Sequence, residues 1–123
     1  MTRGLLLSLL WASVWGMATA QEVLPGEKLV RAQCMQCHTL GKGEPHGVGP
    51  NLFGIIGRKG GAAEGFSYSE GYRRVLTGKP WDTDLMDRWL TDTQSVAPGN
   101  GMTYFQDNPR KRKLIVDYLS SLK

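Results

Sequence analysis

Cys34-Met35-Gln36-Cys37-His38 is the stretch on which the reading of this chain turns. C-x-x-C-H is the spacing of c-type haem attachment. Residues three apart on a helical turn share a face. Two thiols placed so can each add across one haem vinyl group, giving two thioethers. The next residue then swings an imidazole under the ring to ligate iron. Cys34 and Cys37 are the two cysteines of the chain, and three other uses compete for them. A disulfide between them needs no His38 and closes a very small loop. A thioredoxin-like pair needs a βαβ setting, and no run here alternates like a strand. A zinc site built from Cys34, Cys37, His38 and His46 would make two ligands adjacent, which suits a tetrahedron poorly, and the usual second ligand pair is missing.

The sixth position on iron needs a second donor. Beyond the first 20 residues the methionines are Met35, Met86 and Met102. Met35 lies inside the attachment motif, and Met86 falls in a predicted helix where it reads as core. Met102 sits in Pro98-Gly99-Asn100-Gly101-Met102, a flexible loop far along the chain. Such a loop can cross to the other face and present a thioether. His46 follows His38 too closely to do so. His–Met ligation tends to raise the reduction potential. It also leaves iron no open position, which argues for electron transfer over catalysis.

The rest of the chain is organised around this motif. Pro25-Gly26 opens a predicted helix over 26–36, with Gly26, Val30 and Cys34 on one stripe. Residues 39–65 hold nine glycines and two prolines, a long loop with one turn of helix expected near 51–54. A loop this long inside a compact domain is unusual unless it wraps something. Its apolar residues Val48, Leu52, Phe53, Ile55 and Ile56 have no strand to join; a flat apolar ligand would explain them. Ser69 can cap a helix over 70–77 that Gly78 ends. Asp82 can cap another over 83–92, with Leu85, Trp89 and Leu90 inward. Residues 96–108 read as irregular. Asn108-Pro109 starts the last helix, whose stripe is Ile115, Tyr118, Leu119 and Leu122. The class is all-α, about four short helices with long loops.

Length and charge bound the function. At 123 residues there is room for one domain. Residues 1–20 read as a cleaved leader: Arg3, an apolar run over 5–17, and Ala18-Thr19-Ala20 as a small-x-small site. The run falls short of the ~20 apolar residues that span a bilayer. Residues 21–123 are then the domain. Losing Arg3 lowers the formal charge by one from +4, to about +3. That is too mild for nucleic acid, and no basic–aromatic interleaving supports it. It suits an acidic protein partner weakly. Arg110-Lys111-Arg112-Lys113 crowd the first turn of the last helix, where the dipole disfavours cations. They read either as a solvated helix start or as a docking patch for an acidic redox partner.

The ordered set Cys34-Met35-Gln36-Cys37-His38, Gly49-Pro50-Asn51-Leu52, Gly57-Arg58-Lys59, Gly65-Phe66-Ser67-Tyr68, Trp81, Leu85-Met86 and Pro98-Gly99-x-x-Met102 resembles the class I c-type cytochromes over residues 22–122. The resemblance implies a cytochrome c fold wrapped around one haem c, with His38 and Met102 on iron and thioethers at Cys34 and Cys37. It implies that the Pro50 carbonyl accepts from His38 Nδ1–H, which would fix the ring. It places Arg58, Tyr68 and Trp81 around one haem propionate, a partly buried carboxylate in need of donors. It casts His46 as a loop tie bonded to backbone, and Gly26, Val30, Ile115 and Tyr118 as the contact of the first and last helices. Against the mitochondrial pattern, Trp89 replaces a tyrosine near the methionine and Tyr72 an asparagine near the propionate. Tyr104 keeps the aromatic over the haem edge. Gln33, Gln94, Ser95 and Gly101 stand where lysines ring that edge.

The expected function is one-electron transfer between redox proteins by an exported, bacterial periplasmic monomer that is not an enzyme. Two rivals remain. A gas-binding or peroxidase-like haem protein requires Met102 off iron. A haem subunit of a periplasmic dehydrogenase requires a permanent docking face.

Overall fold

The computed structural model describes residues 23–123; the expected leader, residues 1–20, lies outside them. Five helices follow in order: α1 Pro25–Gln33, α2 Glu70–Leu76, α3 Thr83–Thr91, α4 Thr93–Val96 and α5 Pro109–Ser121. Among the described residues the extended pairings are two isolated bridges, Lys59 with Pro80 and Asp92 with Phe105. The all-α class expected from the sequence is what forms, with one helix more than the four anticipated.

α1 starts at Pro25, whose missing N–H costs nothing at a helix start. Glu27 accepts from Arg31 Nε at 2.7 Å one turn on, the favourable order for such a pair. The helix ends at Gln33, three residues short of the expected 36. The winding nonetheless persists: the Cys34 carbonyl accepts from Cys37 N at 3.1 Å and from His38 N at 2.9 Å. The attachment motif is therefore a tight turn capping α1.

α1 packs on α5, and α3 packs on both α5 and α4. Gly26 makes the first contact possible. A Cβ there would lie 2.2 Å from the Leu114 carbonyl oxygen. Val30 and Ile115 are fully buried at this contact, with Val116 and Leu119 beside them. Val116 lies off the stripe read from the sequence; α3 covers that side of α5 as well. Arg112 braces the same joint: its Nε donates to Asp87 Oδ1 at 2.8 Å, and the guanidinium also reaches the carbonyls of Gln106 and Asp107.

Two expected caps form. Asp82 accepts from Leu85 N at 2.7 Å, and Asn108 accepts from Arg110 N and Lys111 N. Ser69 does not cap α2 with its side chain. Its hydroxyl accepts from Gly101 N at 3.0 Å instead, since a distant loop takes the one acceptor available. The turn at 53–54 never becomes helical. The missed helix α4 has a readable signal: Asp92 accepts from Gln94 N and Ser95 N, an acidic cap immediately after α3.

Candidate functional site

One cavity of about 360 Å³ runs through the middle of the fold, within the range of ligand pockets. Cys34, Cys37, His38, Pro50, Arg58, Tyr68, Trp81 and Met102 all line it. The site residues read from the sequence are thus gathered on one cavity from five separate stretches of chain. Leu52, Ile55, Met86, Trp89 and Leu90 supply apolar wall. A second, shallower depression lies on the outside between α2 and α3, lined by Val75, Leu85 and Val96 among others, and carries no cysteine, histidine or methionine.

The His38 side is built by the long loop. His38 Nδ1 lies 2.7 Å from the Pro50 carbonyl, to which the ring donates, leaving Nε2 as the lone-pair nitrogen. Burial pushes the His38 pKa below its usual value, outweighing that hydrogen bond. The imidazole is therefore neutral at pH 7, the form that binds a metal. Gly49 lies flat on the ring: a Cβ there would sit 2.2 Å from His38 Cε1. The loop behind is pinned by two side chains. His46 Nε2 donates to the Glu64 carbonyl at 2.7 Å and its Nδ1 accepts from Asn51 N at 2.9 Å. Asn51 Nδ2 donates to Thr39 Oγ1 and to the Gly41 carbonyl.

Both thiols are free. Burial, helped by Cys37, pushes the Cys34 thiol up to about 11. Such a thiol is a poor nucleophile for disulfide exchange in the folded chain.

The Met102 side is built by α4, the helix missed from the sequence. Thr93 Oγ1 donates to the Met102 carbonyl at 2.5 Å. Gln94 Nε2 donates to the carbonyls of Asn100 at 3.1 Å and Met102 at 3.2 Å, while its Oε1 accepts from Gly99 N at 3.1 Å. Asn100 turns inward, donates to the Thr93 and Ala97 carbonyls, and accepts from Met102 N at 2.7 Å. A loop with two glycines and a proline is thereby fixed at every residue from 99 to 102. Thr93, Gln94 and Asn100 escape a reading by motif because their work is done on backbone groups.

The far end of the cavity holds the polar groups. Arg58 donates to the carbonyls of Asn51 at 2.9 Å and Phe53 at 3.4 Å. Tyr68 accepts from Ala63 N at 3.1 Å, and Tyr72 accepts from Trp81 Nε1 at 3.2 Å. Each phenol receives one bond and keeps its own proton to give. Burial raises the Tyr72 pKa, so that proton stays. The two phenol rings stack, with centroids 4.6 Å apart, and Trp89 meets Tyr72 and Trp81 edge-on. Tyr104 lines the cavity near Gln33, to whose side-chain oxygen its hydroxyl donates at 2.5 Å.

This donor set fits a covalently held haem: two thiols on one turn, a neutral imidazole beside them, a thioether from a braced loop, apolar walls, and phenol and guanidinium donors at one end. No family model matches the chain. Curated relatives do. It is 36% identical over 109 residues to cytochrome c2 of Rhodopila globiformis, covering 88% of this chain and 100% of that one. It is 39% identical over 99 residues to cytochrome c2 of Rhodoblastus acidophilus, covering 80% and 90%. It is 33% identical over 108 residues to cytochrome c of Chlamydomonas reinhardtii, covering 87% and 95%. On the strength of these matches, and of a cavity that collects both cysteines with His38 and Met102, the chain belongs to the class I c-type cytochromes.

Proposed function

We propose that this protein is a monohaem one-electron carrier in which His38 and Met102 would hold the iron and Cys34 and Cys37 would carry the thioethers. The observation that supports this reading most is that His38 and Met102 line the same cavity as both cysteines. Haem c bound there supplies a one-electron couple. The chain's residues do the rest. Pro50 holds the His38 tautomer and ring plane, which raises the basicity of the ligating nitrogen. Thr93, Gln94 and Asn100 hold the Met102 backbone, so the thioether is presented without rearrangement. Leu52, Ile55, Trp89 and Leu90 exclude water, so little solvent must reorganise when charge changes. Arg58, Tyr68 and Tyr72 would offer donors to a carboxylate at the far end, with Trp81 acting through Tyr72.

Ligation by both His38 and Met102 would leave the iron no position for a substrate, which supports a carrier rather than an enzyme. Its partners are redox proteins, one donor and one acceptor, and it acts as a monomer. Among the described residues no helix is long and apolar enough to cross a membrane. The leader-like start and the attachment motif together support export to a bacterial periplasm.

The test is an optical spectrum of the protein expressed with haem attachment, oxidised and reduced, with and without carbon monoxide. Low-spin spectra in both states, a sulfur-to-iron charge-transfer band when oxidised and no response to carbon monoxide are expected. The Met102→Ala variant should lose the band and bind carbon monoxide. A wild-type spectrum that is high-spin and shifts with carbon monoxide would turn the reading to a gas-binding or peroxidase-like protein.

A further inference from the structure

We propose that Tyr104 and Gln33 form a clasp across the cavity that keeps Met102 in place, acting on the thioether through the backbone that joins Tyr104 to it. This rests on the reading of Met102 as an iron ligand. Gln33 closes α1 one residue before Cys34, and Tyr104 follows Met102 by two. All four line the cavity, two from each stretch. The Tyr104 hydroxyl donates to Gln33 Oε1 at 2.5 Å. Among the described residues this is the one hydrogen bond between the stretch 25–38, which carries both cysteines and His38, and the stretch 92–106, which carries Met102.

The other fastenings of the Met102 loop lead away from that wall. Before Met102 the loop rests on the start of α2. Gly101 N donates to Ser69 Oγ at 3.0 Å, and a Cβ on Gly71 would lie 2.5 Å from the Gly99 carbonyl carbon. Thr93 and Gln94 of α4 hold its backbone groups. After Met102, Tyr104 N donates to Thr93 Oγ1 at 3.1 Å, and the Tyr104 carbonyl accepts from Thr93 N at 3.2 Å. The backbone of Tyr104 is thus tied to α4, while its hydroxyl reaches α1. α1 is anchored on α5 and α4 on α3, so the clasp joins two elements with separate anchors.

A loop can open locally by breaking its own bonds while the rest of the fold stays closed. Gly99 and Gly101 give this loop the backbone freedom to do so. Lifting Met102 carries Tyr104 with it, only two residues on, and so breaks the bond to Gln33. A phenylalanine at position 104 would fill the same space and leave the clasp undone, since only the hydroxyl crosses to α1. The clasp therefore sets how often the thioether leaves its place. It thereby separates a carrier from a haem protein open to small ligands.

Two rates in the holoprotein test this. Hydrogen–deuterium exchange of peptides containing residues 99–104 reports how often the loop lifts. Decay of the sulfur-to-iron band after mixing with imidazole reports how often the thioether leaves. Tyr104→Phe removes the donor and Gln33→Leu the acceptor. Each should speed both rates about threefold to tenfold, the worth of one net hydrogen bond. The double variant should go no faster than either single one, because one bond is lost only once. Gln33→Glu keeps an acceptor and gives it a charge, so it should be no faster than wild type. A bond that only stabilises the fold would lower the denaturation midpoint of Tyr104→Phe and Gln33→Leu and leave both rates unmoved, which overturns the proposal. So does a double variant in which the two accelerations multiply, or a Gln33→Glu variant that behaves like Gln33→Leu. A wild-type spectrum without the sulfur-to-iron band would defeat the carrier reading itself; an intact band with unmoved rates defeats this inference alone.

Discussion

The indole Nε1–H of Trp81 donates to the Tyr72 hydroxyl at 3.2 Å. The Trp81 side chain has no other donor, so an anion at this end of the cavity would meet the phenol's proton and not the indole's. Tyr72→Phe should leave a buried N–H without a partner and cost about 1–3 kcal/mol. Denaturant unfolding of the holoprotein checks this. Unchanged stability would show that the indole finds another acceptor and that Tyr72 is dispensable.

Alkaline pH should weaken the fold through the same residue. Burial raises the pKa of Tyr72, and burial also raises that of Tyr104. In the unfolded chain both ionise near 10. Between that value and the raised folded values, the native state holds more protons than the unfolded state. Stability is therefore full below about pH 10 and falls as pH rises beyond it. Thermal melts above that pH should drop less in Tyr72→Phe than in wild type. An equal drop would mean that Tyr72 does not carry the effect.

Gln94 should govern how long Met102 stays in place. Gln94→Leu removes two donations and one acceptance from the loop. Gln94→Glu keeps the acceptance from Gly99 N and loses the donations. At about 1 kcal/mol per net bond, external imidazole should bind oxidised iron up to about a hundredfold faster in Gln94→Leu. Gln94→Glu sets a carboxylate oxygen against the same two carbonyls and should bind imidazole at least as fast as Gln94→Leu. The readout is the decay rate of the sulfur-to-iron band after mixing. Equal rates in all three proteins would remove Gln94 from the positioning of Met102.

Gly26→Ala should loosen the α1–α5 joint. Its Cβ would stand 2.2 Å from the Leu114 carbonyl oxygen, which is backbone and cannot swing aside. Overpacking of this kind costs about 1–3 kcal/mol. A lowered denaturation midpoint with an unchanged optical spectrum is expected. A midpoint equal to wild type would show that the helices can separate without penalty.

The features legible in the sequence were those whose chemistry is local. The attachment spacing, the Asp82 and Asn108 caps and the Gly26–Val30–Cys34 stripe need few residues to define them, whereas the Pro50 carbonyl was legible for His38 only through the family resemblance. His46 was legible through the family resemblance, and it does bond the loop's backbone on both ring nitrogens. What escaped depends on distance along the chain. Ser69 looks like a helix cap until Gly101, far along the sequence, claims its hydroxyl. Gln94 reads as a lysine lost from a charged ring, whereas its amide reaches three backbone groups of the Met102 loop. Arg112 reads as one of four surface bases until Asp87 is folded beside it. α4 was hidden because its one turn follows α3 directly, with Asp92 serving as the end of one helix and the cap of the next.

The meeting of α1 with α5 also orders events in time. Helices α1 and α5 meet backbone to backbone at Gly26, so their joint cannot close until α5 has been made. Once it closes, Cys34 is buried and its thiol is held protonated at neutral pH. Both conditions work against thioether formation. A haem held here would therefore have to reach Cys34 while the chain is still open.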